Sequence, residues 1–223
     1  MVRLNIIKLG VIFYSQALEI QCKLLEKRQK GEIDNTLLLL EHPAVLTLGT
    51  RGQYNNIYLS SDELKSQGIE VFEVNRGGDV TYHGPGQIVG YPIFDLRDIG
   101  KDIHLFVRKM EQSIINLLKQ EYGIDAYEET DKFTGVWVND KKITAIGISV
   151  KKWVTMHGFA FNINTNLEHF NWINPCGLSK GVTSLEQLIG RKEDIQLVYE
   201  KVEQYFTKEF GCEAIKLKLS EIL

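Results

Sequence analysis

Among the side chains able to do chemistry in this sequence, the three thiols of Cys22, Cys176 and Cys212 are intrinsically the most nucleophilic. Cys22 falls inside an apolar pattern of helical spacing and Cys212 at the end of another, where a thiol usually acts as a small, inert, buried group. Cys176 stands apart from both. Pro175 fixes the backbone before it, Gly177 frees the backbone after it, and no apolar period claims the position. A thiol in such a loop is accessible and is a candidate nucleophile. Free cysteine titrates near 8.5, so only a few per cent is thiolate at neutral pH. Lowering that value by two units requires about 2.7 kcal/mol of preferential stabilisation of the anion. A neighbouring ammonium or the backbone dipoles of a glycine-rich loop can supply it.

Both kinds of partner are present. Lys141 and Lys142 follow an Asn139-Asp140 turn, and strand parity sends them to opposite faces, so at most one points at a site. Parity does not choose between them. His83 and His157 are competitors, because a Cys-His pair is the commoner way to activate a thiol. Arg76 to Gln87 holds four glycines and one proline in twelve residues, which leaves its backbone unusually bare. Gly77 and Gly78 would let a phosphate or carboxylate approach the main chain closely. The run is neither a Walker A loop nor a dinucleotide fingerprint, and a structural turn around a satisfied Arg76 is the alternative. Ala145-Ile146-Gly147 and Gly158-Phe159-Ala160 are small-residue spots inside strands, where a ligand or a bulge often explains the missing bulk. Lys151-Lys152 reads as a solvated strand end, with attraction for an acidic carrier protein as the other reading.

The elements that must position these groups are legible in outline. Helical spacing runs from Tyr14 to Gln29 with Gly31 as a stop, and from Asp102 to Tyr122 with one apolar stripe. A third helix runs from about Glu193 to Phe210 and ends at Gly211. Ser60 with Glu63 and Thr183 with Glu186 have the spacing of capping boxes. Strands are expected at Thr36–Leu40, Val45–Gly49, Ile69–Asn75, Ile88–Phe94, Thr155–Asn164 and Ala214–Leu217. Gly135–Val138 and Ile143–Val150 read as a hairpin. Arg76 to Gln87 and Asn174 to Gly177 read as loops. Strands and helices mix without strict alternation, which gives an α+β (α/β) class with a mixed β-sheet flanked by helices in one catalytic domain, residues 1–223.

Composition narrows the rest. The chain has 223 residues, 43% apolar, enough for a sizeable core without staples. The absence of any long apolar run argues against a membrane span, and the short, interrupted N-terminus argues against a signal peptide. A net charge of -3 with scattered cations argues against a nucleic-acid partner. Three distant cysteines with no C-x-x-C suggest neither disulfides nor zinc, so a reducing cytoplasmic setting without a metal or cofactor is expected.

Taken together, several segments resemble a known family, the lipoate-biosynthesis octanoyltransferases (LipB family). They are Leu40-Glu-His-Pro-Ala-Val-Leu-Thr-Leu-Gly49, Arg76-Gly-Gly-Asp-Val-Thr-Tyr-His-Gly-Pro-Gly-Gln87, Gly135-Val-Trp-Val138, Lys142-Ile-Thr-Ala-Ile-Gly147, His157-Gly-Phe159 and Asn174-Pro-Cys-Gly177. The matches keep the family's order from about residue 14 to residue 188. The C-terminal helix and strand, about 191–223, carry no matching motif. The resemblance implies a biotin/lipoate-ligase catalytic fold and a definite reaction. Octanoate would pass from octanoyl-acyl carrier protein to Cys176 as a thioester. It would then pass to a lysine ε-amine of lipoyl domains, those of 2-oxoacid dehydrogenase E2 subunits and of the glycine cleavage H protein. It also assigns the lowering of the thiol pKa to Lys142 rather than Lys141. Arg76, Gly77, Gly78, Asp79, Val80, Thr81, Tyr82 and His83 fall on the acyl-binding segments, as do Ala145, Ile146, Gly147, Gly158, Phe159 and Ala160. The one departure is mild, Ala145 after Thr144, where several small residues are acceptable. Tyr82, Ile146 and Phe159 are candidates for the wall of an acyl channel, and N–H groups near Gly77 or Gly147 for an oxyanion hole. Three rivals are carried: an ATP-dependent lipoate or biotin ligase of the same fold, an amidotransferase drawing octanoate from a lipoyl-type carrier domain, and a non-catalytic module binding acyl carrier protein.

Overall fold

The computed structural model of the chain describes residues 2–129, 133–174 and 181–223. Cys176, with Pro175 and Gly177, therefore lies outside the described residues. Two sheets form. The larger joins eight strands, in spatial order β11 (Cys212–Lys216), β1 (Val2–Val11), β2 (Asn35–Glu41), β6 (Gln87–Ile93), β10 (Val154–Asn162), β9 (Lys141–Lys151), β8 (Gly135–Val138) and β7 (Tyr127–Glu129). β1 runs parallel to both β2 and β11, while the remaining pairs are antiparallel. A small sheet places β3 (Val45–Leu48) between β4 (Glu70–Glu73) and β5 (Val80–His83). The expected mixed sheet flanked by helices is what forms.

Helices cover both faces of the large sheet, which is why β2 and β6 are buried nearly end to end and read as apolar runs. On one face, α1 (Tyr14–Lys30) sets Ala17, Leu24 and Leu25 against Leu38, Leu40 and Val89. On the other, α3 (Ile103–Tyr122) and α5 (Ile195–Phe210) enclose an aromatic cluster of Phe94, Phe106, Phe206 and Phe210. The last two rings stack with centroids 4.3 Å apart. The helices stop where the sequence says they should. Asp102 accepts from the Leu105 N–H, while Gly31, Gly123 and Gly211 close α1, α3 and α5 in the left-handed conformation. The Ser60–Glu63 capping box is present at the start of α2 (Ser61–Ser66).

Four readings need correction. Val2–Val11 is a strand with no strand pattern in the sequence, because its centre, Leu4 to Ile7, is buried on both faces and loses the alternation that marks a half-buried strand. Val80–His83 lies within the expected loop yet pairs with β3, Leu46 opposite Tyr82 and Thr47 opposite Thr81. The Thr183–Glu186 box does not form. Thr183 spends its N–H on the Lys142 carbonyl and its hydroxyl on Gln187, so Ser184 caps α4 (Leu185–Ile189) instead. Cys22 is exposed on α1 rather than buried, whereas Cys212 is buried and its thiol is pushed up to about 11.

The glycine-rich run is fastened on two sides. Thr50 and Arg51 donate their N–H groups to the carbonyls of Arg76 and Gly78 at 2.9 and 3.0 Å. Gly77 donates to Ile148 of β9 at 2.9 Å, and a Cβ on Gly147 would stand only 2.6 Å from the Gly77 oxygen. A bare Gly147 therefore lets the loop lie on the sheet. Gly135 is more constrained still, with φ 137° and the Thr144 carbonyl where a Cβ would go. Gly135→Ala should cost about 2 kcal/mol or more, read as a lowered urea midpoint at unchanged slope.

Candidate functional site

Between the loop and the large sheet lies a cavity of about 270 Å³. For scale, an aliphatic cavity of about 150 Å³ accepts a benzene ring. Strand register sets its sheet side. Gly147 pairs with Gly158, Ala145 with Ala160 and Ile146 with Phe159, so small residues stand side by side across β9 and β10. These six residues all line the cavity, which makes the sheet a shallow trough. Arg76, Gly77, Gly78, Asp79, Val80, Thr81 and His83 line it from the loop and β5.

Tyr82 does not join them. Alternation along β5 turns it away from Thr81 and His83 into the core of the small sheet. Its hydroxyl meets His169 Nδ1 at 2.6 Å and its ring packs on Phe170 and Trp172. The Arg76 guanidinium is satisfied within the protein, donating to the Thr47 carbonyl and hydroxyl at 2.6 and 2.9 Å and to the Gly77 carbonyl at 3.0 Å. The alternative of a structural turn around a satisfied arginine therefore describes its contacts. The Gly77 N–H is spent on Ile148 and is not available to an oxyanion.

Lys142 stands at the β8–β9 hairpin. Asn139 and Asp140 both take positive φ, 48° and 60°, the geometry of a tight two-residue hairpin turn. A bulge follows: Val136 pairs with Thr144 but Trp137 with Lys142. The extra residue, Ile143, is fully buried in the core, and Lys142 is left opposite Trp137. Its Nζ lies 4.8 Å from the Trp137 ring centroid and donates to the Thr134 carbonyl at 3.1 Å. Lys141 is exposed, so of the two lysines only Lys142 reaches the cavity.

The described residues on either side of the segment that carries Cys176 are each held by backbone hydrogen bonds, and those after it are held to Lys142. Asn174 donates its N–H to Asn56 at 2.8 Å. On the far side the Lys142 N–H donates to Gly181 and the Lys142 carbonyl accepts from Thr183, both at 3.0 Å, so Val182 bridges in parallel to Lys142. Gly181 and Val182 line the cavity, and nothing in their residue types announced it.

A second group was missed in part. Tyr14, Gln87, Tyr91 and Asn162 line the cavity, and His42 stands behind Tyr91. The hydrogen bonds assign the tautomers. His42 Nδ1 meets the Ile12 carbonyl at 2.7 Å and must donate, so Nε2 accepts from the Tyr91 hydroxyl at 2.8 Å. Gln87 donates its amide to Tyr82 and Asn162, which leaves its oxygen to accept from His83 Nδ1 at 2.8 Å. Burial holds all three cavity-region imidazoles neutral, His42 and His157 at about 4 and His83 at about 3. A base that weak gains little from taking a thiol proton, so the histidines fit positioning better than activation. The position of Gln87 at the end of the glycine-rich motif was the available signal. His42 lay in a motif already singled out.

Among the described residues, no group of three or more His, Cys, Asp or Glu converges as a metal site would require, and no helix is long and apolar enough to cross a membrane.

Comparison with known proteins agrees with this geometry. A lipoate-protein ligase A solved with ATP superposes with a TM-score of 0.77 at 18% identity, over 97% of this chain and 88% of the other, which fixes the fold. The lipoyl protein ligase A/B catalytic domain matches residues 14–207. The octanoyltransferase of Caldicellulosiruptor saccharolyticus is 58% identical across 94% of this chain and 90% of its own length. That of Desulforamulus reducens is 53% identical across 99% and 98%. The chain therefore belongs to the lipoyl protein ligase A/B catalytic-domain family, in its octanoyltransferase branch, and is an acyltransferase.

The histidines carry a pH dependence of fixed sign. Their folded-state pKa values lie below the roughly 6.5 of a free imidazole, so the unfolded chain takes up protons first on acidification. Their stabilising contribution is complete above about pH 6.5 and declines as pH falls toward 4. Urea midpoints should drop through that window, and His83→Gln should flatten the slope.

Proposed function

We propose that the chain transfers an octanoyl group from octanoyl-acyl carrier protein to a lysine ε-amine of a lipoyl domain, through a thioester on Cys176. The carrying observation is the pairing of Lys142 with Gly181 and Thr183. Cys176 lies five residues before Gly181 and two after Asn174. At no more than about 3.6 Å per residue, covalent geometry keeps it within roughly 18 Å of the first and 7 Å of the second. The reading is supported by Lys142, a lysine ammonium that lines the cavity and can supply the field a thiolate needs.

The chemistry then balances without an energy source. The Cys176 thiolate attacks the carrier thioester carbonyl, the carrier thiolate leaves, and one thioester replaces another at little cost. The lipoyl-domain amine attacks the new thioester, sheds a proton, and expels the Cys176 thiolate as the stable amide forms. Lys142 stabilises the anion before loading and after release. An octanoyl tail offers about six methylenes, worth roughly 5 kcal/mol when buried, and the small-residue trough with Ile146 and Phe159 gives it a place. The acyl-binding roles of Arg76 to His83, Ala145 to Gly147 and Gly158 to Ala160 belong to this reading. Within it, Tyr82 and Arg76 act by holding the loop, since their polar groups are engaged elsewhere.

Incubation with octanoyl-acyl carrier protein should add one octanoyl mass to the enzyme, removable by hydroxylamine and absent in Cys176→Ala. Full transfer activity of Cys176→Ala with a requirement for ATP would instead identify a ligase. No adduct and no transfer would leave a carrier-binding module.

A further inference from the structure

Glu111 is a carboxylate in the wrong company. It lies on α3 among Met110, Ile114 and other core residues and is only 5% exposed. Burying an unpaired carboxylate costs several kcal/mol, so its partner carries information. That partner is the backbone of Gly135, whose N–H donates to Glu111 Oε1 at 2.9 Å. The same peptide unit holds the Thr134 carbonyl, which accepts from Lys142 Nζ at 3.1 Å. Because a peptide is planar and trans, its N–H and C=O point in opposite directions. Fixing the N–H on the carboxylate therefore aims the carbonyl at the ammonium. Gly135 reaches this orientation at φ 137°, a conformation that side chains rarely permit.

We propose that Glu111 is the positioning residue for Lys142: its carboxylate, through the Thr134–Gly135 peptide, fixes where the ammonium is held. The proposal rests on the reading of Lys142 as the charge that ionises Cys176. The arrangement is a polarised chain, carboxylate to peptide to ammonium, in which each hydrogen bond strengthens the next. The charged groups around the carboxylate are Lys142 on β9, Arg108 on its own helix and Glu128 on β7. Burial raises the Glu111 pKa and prevails, with Glu128 acting in the same direction, while the Gly135 N–H, Arg108 and Lys142 favour the ionised form. The Trp137 ring beneath Lys142 is held in turn by its Nε1–H on the Phe133 carbonyl at 2.8 Å, so the ammonium is supported on two sides.

The test compares variants by the pH midpoint of Cys176 alkylation, followed by peptide mapping because Cys22 is also exposed. Glu111→Gln keeps an acceptor for Gly135 and should react like the wild type, with octanoyl-transfer kcat within about threefold. Glu111→Leu removes the acceptor and should raise the midpoint toward that of Lys142→Ala. It should also lower kcat at least about tenfold with little change in KM, the expected scale for a displaced catalytic group. In a Lys142→Ala background it should add no further shift. Glu111→Asp, which keeps the charge but withdraws the oxygen, should behave like Glu111→Leu and serves if the leucine variant does not fold. A wild-type midpoint in Glu111→Leu or Glu111→Asp, with Lys142→Ala shifted, overturns the proposal. Equal shifts in Glu111→Gln and Glu111→Leu also overturn it, because charge and not contact would then be responsible. An unshifted Lys142→Ala removes the underlying reading of Lys142 instead, and this proposal with it.

Discussion

The backbone of Lys142 makes two hydrogen bonds that organise the rest of the site. Its N–H reaches Gly181 and its carbonyl receives Thr183, so the chain leaving the Cys176 segment is fastened as a short parallel bridge onto the strand that bears the lysine. A main-chain bridge of this kind fixes position more tightly than a pair of long side chains, because little rotamer freedom remains to be lost. A bulge at Ile143 lies next to it. Ile143 fills the core, and the extra residue leaves Lys142 facing Trp137 and the cavity.

Around that bridge the fold makes an apolar slot by subtraction. Gly147, Gly158, Ala145 and Ala160 withhold bulk at paired positions across β9 and β10. The glycine-rich run then closes over the trough, anchored on Ile148 on one side and on Thr50 and Arg51 on the other. Arg76 contributes as a brace, its guanidinium spent on Thr47 and Gly77. The neutral histidines behind Tyr91 and Gln87 are held by hydrogen bonds that leave no ambiguity of tautomer. The permanent positive charges that line the site are Lys142, Arg76 and Arg51, and burial keeps the imidazoles uncharged.

Much of this was legible in the residues themselves. The Asn139-Asp140 turn, the three long helices and the Ser60 cap were written in local chemistry, and the structure bears them out. What escaped was decided by tertiary context. The centre of β1 is buried on both faces and loses its period, β5 lies inside a glycine-rich run, and Thr183 is diverted from capping by its bond to Lys142. Tyr82 was placed at the acyl wall by its neighbours in sequence, yet alternation along β5 sends it to the opposite side. Gly181 and Glu111 carry no signal of their own. The first matters for its carbonyl and the second for the peptide it holds, and neither property belongs to a residue type.

The proposed transfer depends on an ammonium at the cavity lowering the pKa of the thiol of Cys176. The most direct test is an ultraviolet titration of thiolate absorbance in a Cys22→Ser, Cys212→Ala protein, where Cys176 is the sole thiol. The expected pKa lies well below the roughly 8.5 of free cysteine and returns toward that value in Lys142→Met. Identical titration curves with and without the lysine would contradict it.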